Sequence, residues 1–114
     1  TDKVVVSFRE GEVLSQAALS STSTHYVKEG MNDMVHNTAN VARYMKNVLN
    51  VVEVGGKSGT AQVGGGLRDN GLFICAAPYN NPDITVCSVI ERAGSGSYPA
   101  MAAARVLEAY YGLG

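Results

Sequence analysis

Nine of the 13 glycines in this 114-residue chain fall between residues 55 and 96. Glycine supplies positive-φ turns and lets one backbone lie close against another or against a ligand. A segment built this way reads as short strands and tight turns, and it is where function is to be sought. The rest of the composition is that of a single packed domain, 46% hydrophobic and 17% charged, with nine basic against ten acidic side chains. So low and balanced a charge argues against disorder. It also leaves no field to draw in phosphate backbones, so no nucleic-acid partner is expected. No apolar run approaches the 18 or so residues of a membrane span, and Thr1-Asp2-Lys3 does not open a charged-then-apolar leader. As given, the chain is expected to be soluble.

The chain divides into three zones. In the first, Lys3 to Leu19, the runs Val4-Val5-Val6 with Phe8 and Glu12-Val13-Leu14 flank Gly11. They read as a strand, a turn and a second extended piece. The second zone opens on Ser20-Ser21-Thr22-Ser23-Thr24, whose hydroxyls cap helices, and continues with Val27, Met31, Met34, Val35 and Thr38 at helical spacing. A helix from about Ser23 to Asn37 follows. Gly30 is discordant inside it, since an interior glycine costs about 1 kcal/mol relative to alanine, and close packing by another element is the expected reason. Residues 40–50 read as a further helical segment with Val41, Tyr44, Met45 and Val48 on one side.

The third zone carries Val51 to Val63, then Leu72 to Ala77 and Ile84 to Glu91, the last two joined by Pro78-Tyr79-Asn80-Asn81-Pro82-Asp83. A segment so rich in turn formers makes this an antiparallel hairpin. With the turn centred between Asn80 and Asn81, Cys75 and Cys87 are expected to face each other, as small buried apolar residues or as a cross-strand disulfide. Their redox state stays open. Ser97 is expected to cap a last helix with Pro99 in its first turn, Ala100 to Ala104 as a small-residue face, Val106, Leu107, Tyr110 and Tyr111 as anchors, and Gly112 as terminator. The predicted fold is α/β of the α+β kind, an antiparallel sheet with helices packed on it.

The chemistry concentrates in Gly55-Gly56-Lys57-Ser58-Gly59-Thr60-Ala61-Gln62. An amine, two hydroxyls and accessible backbone N–H groups can bind a carboxylate or an oxyanion. Gly56-Lys57-Ser58 also ends a phosphate-binding loop, but the first glycine of that motif would fall on Val51, and a strand follows where a helix is required. His25 and His36, eleven residues apart on one helix face near Asp33, lack a third ligand and read as ordinary helix histidines. No metal or cofactor is implied.

Lys57-Ser58-Gly59-Thr60-Ala61-Gln62 resembles the K-[TS]-G motif of penicillin-binding protein transpeptidases and serine β-lactamases. Gly71-Leu72-Phe73-Ile74-Cys75-Ala76-Ala77-Pro78 is similar to the aromatic strand ending in A-P that follows this motif. Ile84 to Glu91 resembles the next strand, and Gly94 to Tyr111 the glycine-rich loop and closing helix. Upstream, Glu29-Gly30-Met31 with Met34-Val35 is similar to the G-M-x-x-V-V helix segment, a resemblance that also accounts for the discordant Gly30. Ala61-Gln62 is closer to the monofunctional class B enzymes.

The resemblance implies roles for four residues. Lys57 would line the active cleft and tune proton transfer. Ser58 and Thr60 would bind the carboxylate of a peptide stem or of a β-lactam, and the Thr60 N–H would supply half of an oxyanion hole. Gly59 would let substrate pair along the strand edge. The implied reaction is D,D-transpeptidation on D-Ala-D-Ala stems of peptidoglycan, at the extracytoplasmic face of the bacterial cytoplasmic membrane.

The chain departs from the family in one respect: no serine is followed by lysine three residues on, and no S-x-N triplet occurs. The nucleophile and its base are therefore absent. Residues 1–114 read as the C-terminal portion of a transpeptidase domain, inactive alone, whose N-terminal part is its expected partner. A serine β-lactamase-like hydrolase, or a non-catalytic binding module that kept the strand, are the alternatives. Gly94-Ser95-Gly96-Ser97 reads as a flexible strand-to-helix connection, with a rim of the cleft as the alternative.

Overall fold

A computed structural model describes residues 11–113. The expected strand at Val4 to Phe8 lies outside them, and Glu12 to Leu19 is exposed and neither helix nor strand. Helix α1 (Ser21–Asn37) is followed by α2 (Ala39–Tyr44) and α3 (Lys46–Leu49). Strands β1 (Gly55–Ala61), β2 (Asn70–Ala77) and β3 (Ile84–Ile90) come next, and α4 (Ser97–Tyr110) closes the order.

The hydroxyl cluster sets the start of α1. Ser20 is extended, with φ −66° and ψ 147°, and its Oγ accepts from the Ser23 N–H at 3.1 Å, so the helix begins two residues before the expected position. Thr38 leaves the helical region, and α2 and α3 form the second segment. Val41, Met45 and Val48 are buried there and Tyr44 packs against the core, as the spacing predicted. Gly30 does not meet its expectation. It is exposed, and a β-carbon there would touch nothing within 4 Å among the described residues.

The strands form an antiparallel sheet in the order β1-β2-β3. Period-two alternation turns Gly71, Phe73, Cys75 and Ala77 of β2 inward and Leu72 and Ile74 to the other face. Helix α4 lies across β2 and β3 on the inner face, with α1 against β1. The alanines Ala100, Ala103 and Ala104 let α4 approach closely, and with Leu107 they meet Phe73, Cys75, Ala77, Val35 and Val54 in one core.

Three expectations are corrected here. The ladder pairs Ile74 with Cys87 and Cys75 with Val86. A six-residue connection centred between Asn80 and Asn81 pairs residues whose numbers sum to 161, and Cys75 and Cys87 miss that sum by one. One step of register sends side chains to opposite faces, so Cys75 is buried, Cys87 is exposed, and both thiols are free. Gly96, not Ser97, stands at the α4 N-cap, and the Ser95 Oγ accepts from the Ser97 N–H at 3.0 Å. Val106 and Tyr110 are 48% and 53% exposed because they lie roughly 80–120° around the helix from the stripe of Ala100, Ala103, Ala104, Leu107 and half-buried Tyr111. Gly112 ends the helix at φ +69° as expected, with its N–H on the Ala109 carbonyl.

Candidate functional site

Strand β1 carries the candidate residues, and it is an edge strand, paired with β2 and with nothing on its other side among the described residues. Cross-strand partners share a face. Ser58 opposite Phe73 and Thr60 opposite Gly71 turn toward the helices, whereas Lys57 opposite Ile74 and Gly59 opposite Leu72 turn to the outer face. The four consecutive residues therefore present side chains on both faces and backbone groups along the open edge. Lys57 is exposed, with Nζ donating to the Ser58 carbonyl at 2.8 Å. Beside it an open cavity of about 280 Å³ is walled by Gly59, Leu72, Ile74 and Cys87. An ammonium at the rim of an apolar wall is placed to attract an anion.

The glycines of the site are not equivalent. A β-carbon on Gly55 would meet the Tyr79 Cβ at 3.0 Å and the Met31 Cβ at 3.2 Å, and one on Gly56 would meet the Phe73 Cζ at 2.8 Å. These two let α1 and the aromatic ring lie on the bare strand. On Gly59 a β-carbon would meet only the Leu72 Cβ, at an ordinary 3.6 Å. Packing among the described residues therefore gives no reason for glycine at position 59.

The 94–97 segment, expected as a flexible connection or as a rim, is fastened to the sheet together with Ala93 before it. Arg68 Nη2 donates to the Ala93 carbonyl at 2.9 Å, the Gly94 N–H to the Asp69 carbonyl at 2.8 Å, and Gly94 takes φ +80°. Gly96 comes down on Ser58 itself, where a β-carbon would lie 2.8 Å from the Ser58 Cβ. The segment is a fixed rim on the helix side of β1.

Sequence reasoning missed a polar cluster where β1 begins. Asn32 Nδ2 donates to the Val54 carbonyl at 3.0 Å and to Glu53 Oε2 at 2.9 Å, and His36 Nε2 meets the same oxygen at 2.6 Å. An ionised carboxylate only accepts, so Nε2–H is the donor. The bond from His36, then that from Asn32, holds the Glu53 carboxyl below the usual glutamate range. Nearby, Tyr79 Oη donates to Glu29 Oε1 at 2.8 Å, which pushes the phenol up. Lys28 Nζ donates to the Asn80 carbonyl at 2.7 Å. The i, i+4, i+8 spacing of Lys28, Asn32 and His36 was the available signal. His25 instead packs edge-on against Tyr26, and among the described residues no three His, Cys, Asp or Glu side chains gather as a metal cage.

Residues 4–111 match the penicillin binding protein transpeptidase domain family. The chain belongs to that family. It is 36% identical over 98 residues to peptidoglycan D,D-transpeptidase MrdA of Haemophilus influenzae, a match covering 74% of this chain and 15% of that protein. The crystal structure of Pseudomonas aeruginosa PBP2 in complex with WCK 5153 is similar at TM-score 0.64 and 33% identity, over 88% of this chain and 22% of that one. This member of the transpeptidase family thus spans about a fifth or less of the relatives it matches, and its α+β fold agrees with that of the PBP2 structure. No helix among its described residues is long and apolar enough to cross a membrane.

Proposed function

We propose that this chain is the cleft-bearing C-terminal portion of a transpeptidase domain whose parent cross-links peptidoglycan by serine acyl transfer. The observation that carries the reading is the placement of Lys57-Ser58-Gly59-Thr60 on the open edge of β1, where an extended peptide can add as a further strand. The family match supports it, as does the activity named for the MrdA relative.

In this reading the Lys57 ammonium biases proton transfer at a serine supplied by the preceding part of the domain, together with that serine's lysine base. The serine oxygen attacks the D-Ala-D-Ala carbonyl, and negative charge develops on the carbonyl oxygen. The Thr60 N–H is one of the donors that stabilise it. The C–N bond breaks, D-Ala leaves with a proton, and an amine from a second stem displaces the serine to form the cross-link. The Ser58 and Thr60 hydroxyls hold the terminal carboxylate, and β-lactams acylate the same serine. Gly59 leaves the substrate backbone room beside the strand. The parent works at the extracytoplasmic face of the membrane, anchored by a segment outside this chain.

A labelled penicillin tests the reading by mass spectrometry. The parent is expected to form one covalent adduct, Lys57→Ala in the parent to form none, and the 114-residue chain alone to form none. A penicilloyl adduct on the isolated chain would overturn the absent nucleophile, and normal acylation of the Lys57→Ala parent would remove the cleft assignment.

A further inference from the structure

Strand β1 has little to hold it in place. Among the described residues its outer edge is open, and its first two positions are Gly55, turned to α1 and Tyr79, and Gly56, turned to Phe73 on the opposite face, neither of which offers a side chain to interlock with its neighbour. Strands are ordinarily located on their packing face by such side chains. What remains is the ladder to β2, the Gly96 rim over Ser58 further along, and, where the strand begins, the hydrogen bonds made just before it.

Those bonds converge on two residues. The two N–H groups of the Asn32 amide are both used, one on the Val54 carbonyl and one on Glu53 Oε2. His36 grips the same carboxylate oxygen from one turn further along α1. The Glu53 carbonyl receives the Tyr79 N–H at 3.1 Å, which joins the cluster to the turn after β2. Val54 is fully buried, so its carbonyl has no water to turn to in place of the Asn32 amide. Lys57 lies three residues on, about 10 Å along an extended strand. A shift of the Val54 carbonyl is carried along the strand to Lys57 and Thr60.

We infer that Asn32 is a positioning residue for the transpeptidase site: its amide sets where β1 starts on α1 and hence where Lys57 and Thr60 stand in the cleft. The inference rests on the reading of the site given above. A misplacement of about 1 Å at a reacting centre costs on the order of 100-fold in rate, so a partial release of β1 has a measurable kinetic effect while the fold persists.

The test is the acylation of the full parent protein by labelled penicillin, with limiting rate and half-saturating concentration measured separately. The folded fraction is followed by circular dichroism at the assay temperature. Asn32→Ala is expected to lower the limiting rate about tenfold or more. The folded fraction stays unchanged and the half-saturating concentration stays within about threefold, a split that general loss of structure does not produce. A wild-type limiting rate, or a loss that only follows the folded fraction, overturns the inference. Should Asn32→Ala not fold, Asn32→Asp, which keeps the size and removes both donors, is read against the same outcomes. Lys57→Ala is run alongside: if it acylates normally the site reading falls, whereas an inactive Lys57→Ala beside a normal Asn32 variant overturns the positioning role alone.

Discussion

Gly96 stands directly against Ser58: a β-carbon on Gly96 would lie 2.8 Å from the Ser58 Cβ and 2.9 Å from the Leu72 carbonyl oxygen. Neither neighbour can swing aside, because one is fixed to the strand backbone and the other belongs to the β1–β2 region of the sheet. Gly96→Ala must therefore lift the rim or push β1 outward. Overpacking of this kind costs about 1–3 kcal/mol. The denaturant midpoint of the parent is expected to fall with little change in slope, and its acylation by labelled penicillin to slow. A midpoint equal to wild type would mean that the rim does not press on Ser58.

The elements were legible where local chemistry decides them. The hydroxyl run at the start of α1, the turn-rich segment between β2 and β3, and Pro99 with Gly112 at the two ends of α4 each mark a boundary that backbone hydrogen bonding requires. The Lys57-Ser58-Gly59-Thr60 run was legible because its residue types are unusual together. What escaped depends on the third dimension. Hairpin register turned on a single residue and decided whether the cysteines meet. Gly30 and Gly96 carry the same letter, yet Gly30 faces open space and Gly96 faces Ser58. The Asn32–Glu53 contact joins residues 21 apart, and only the docking of α1 on the start of β1 creates it.

Gly30→Ala is expected to stabilise the protein. The position is exposed in the interior of α1, its φ is not positive, and a methyl group there meets no neighbour among the described residues. Restricting the unfolded chain and improving helix propensity together contribute about 0.5–1 kcal/mol. A raised denaturant midpoint checks this. A lowered one would show that another element packs on that turn of the helix.

Cys75 and Cys87 should respond differently to thiol reagents. Burial pushes the Cys75 thiol up to about 11, against a small opposing effect of its hydrogen bond with the Val86 backbone. Its thiolate is then about 1 part in 1,000 at pH 8. Cys87 is exposed on the opposite face. Iodoacetamide is expected to add once to the native chain, at Cys87, and mild oxidation to give no internal disulfide, because thiols on opposite faces cannot bridge. Intact mass and peptide mapping read both results, and an internal disulfide would overturn the register.

The Glu53 carboxyl gives the protein an acid-sensitive contribution. Its folded value is lowered, first by the hydrogen bond with His36 and then by that with Asn32. A lowered carboxylate binds fewer protons folded than unfolded near its titration, so its stabilisation is complete above the usual glutamate range and lost as pH falls through the folded value. The side chain is 51% exposed, and solvent screening holds the contribution to at most about 1 kcal/mol. Glu53→Gln keeps an acceptor for Asn32 but removes the charge that His36 and Asn32 address. The variant is expected to be less stable than wild type at pH 7, with the difference shrinking in high salt and closing as pH falls from the usual glutamate range through the lowered folded value. Denaturation midpoints across that range decide the matter: a difference that persists unchanged into acid would place the effect in packing and not in the charge.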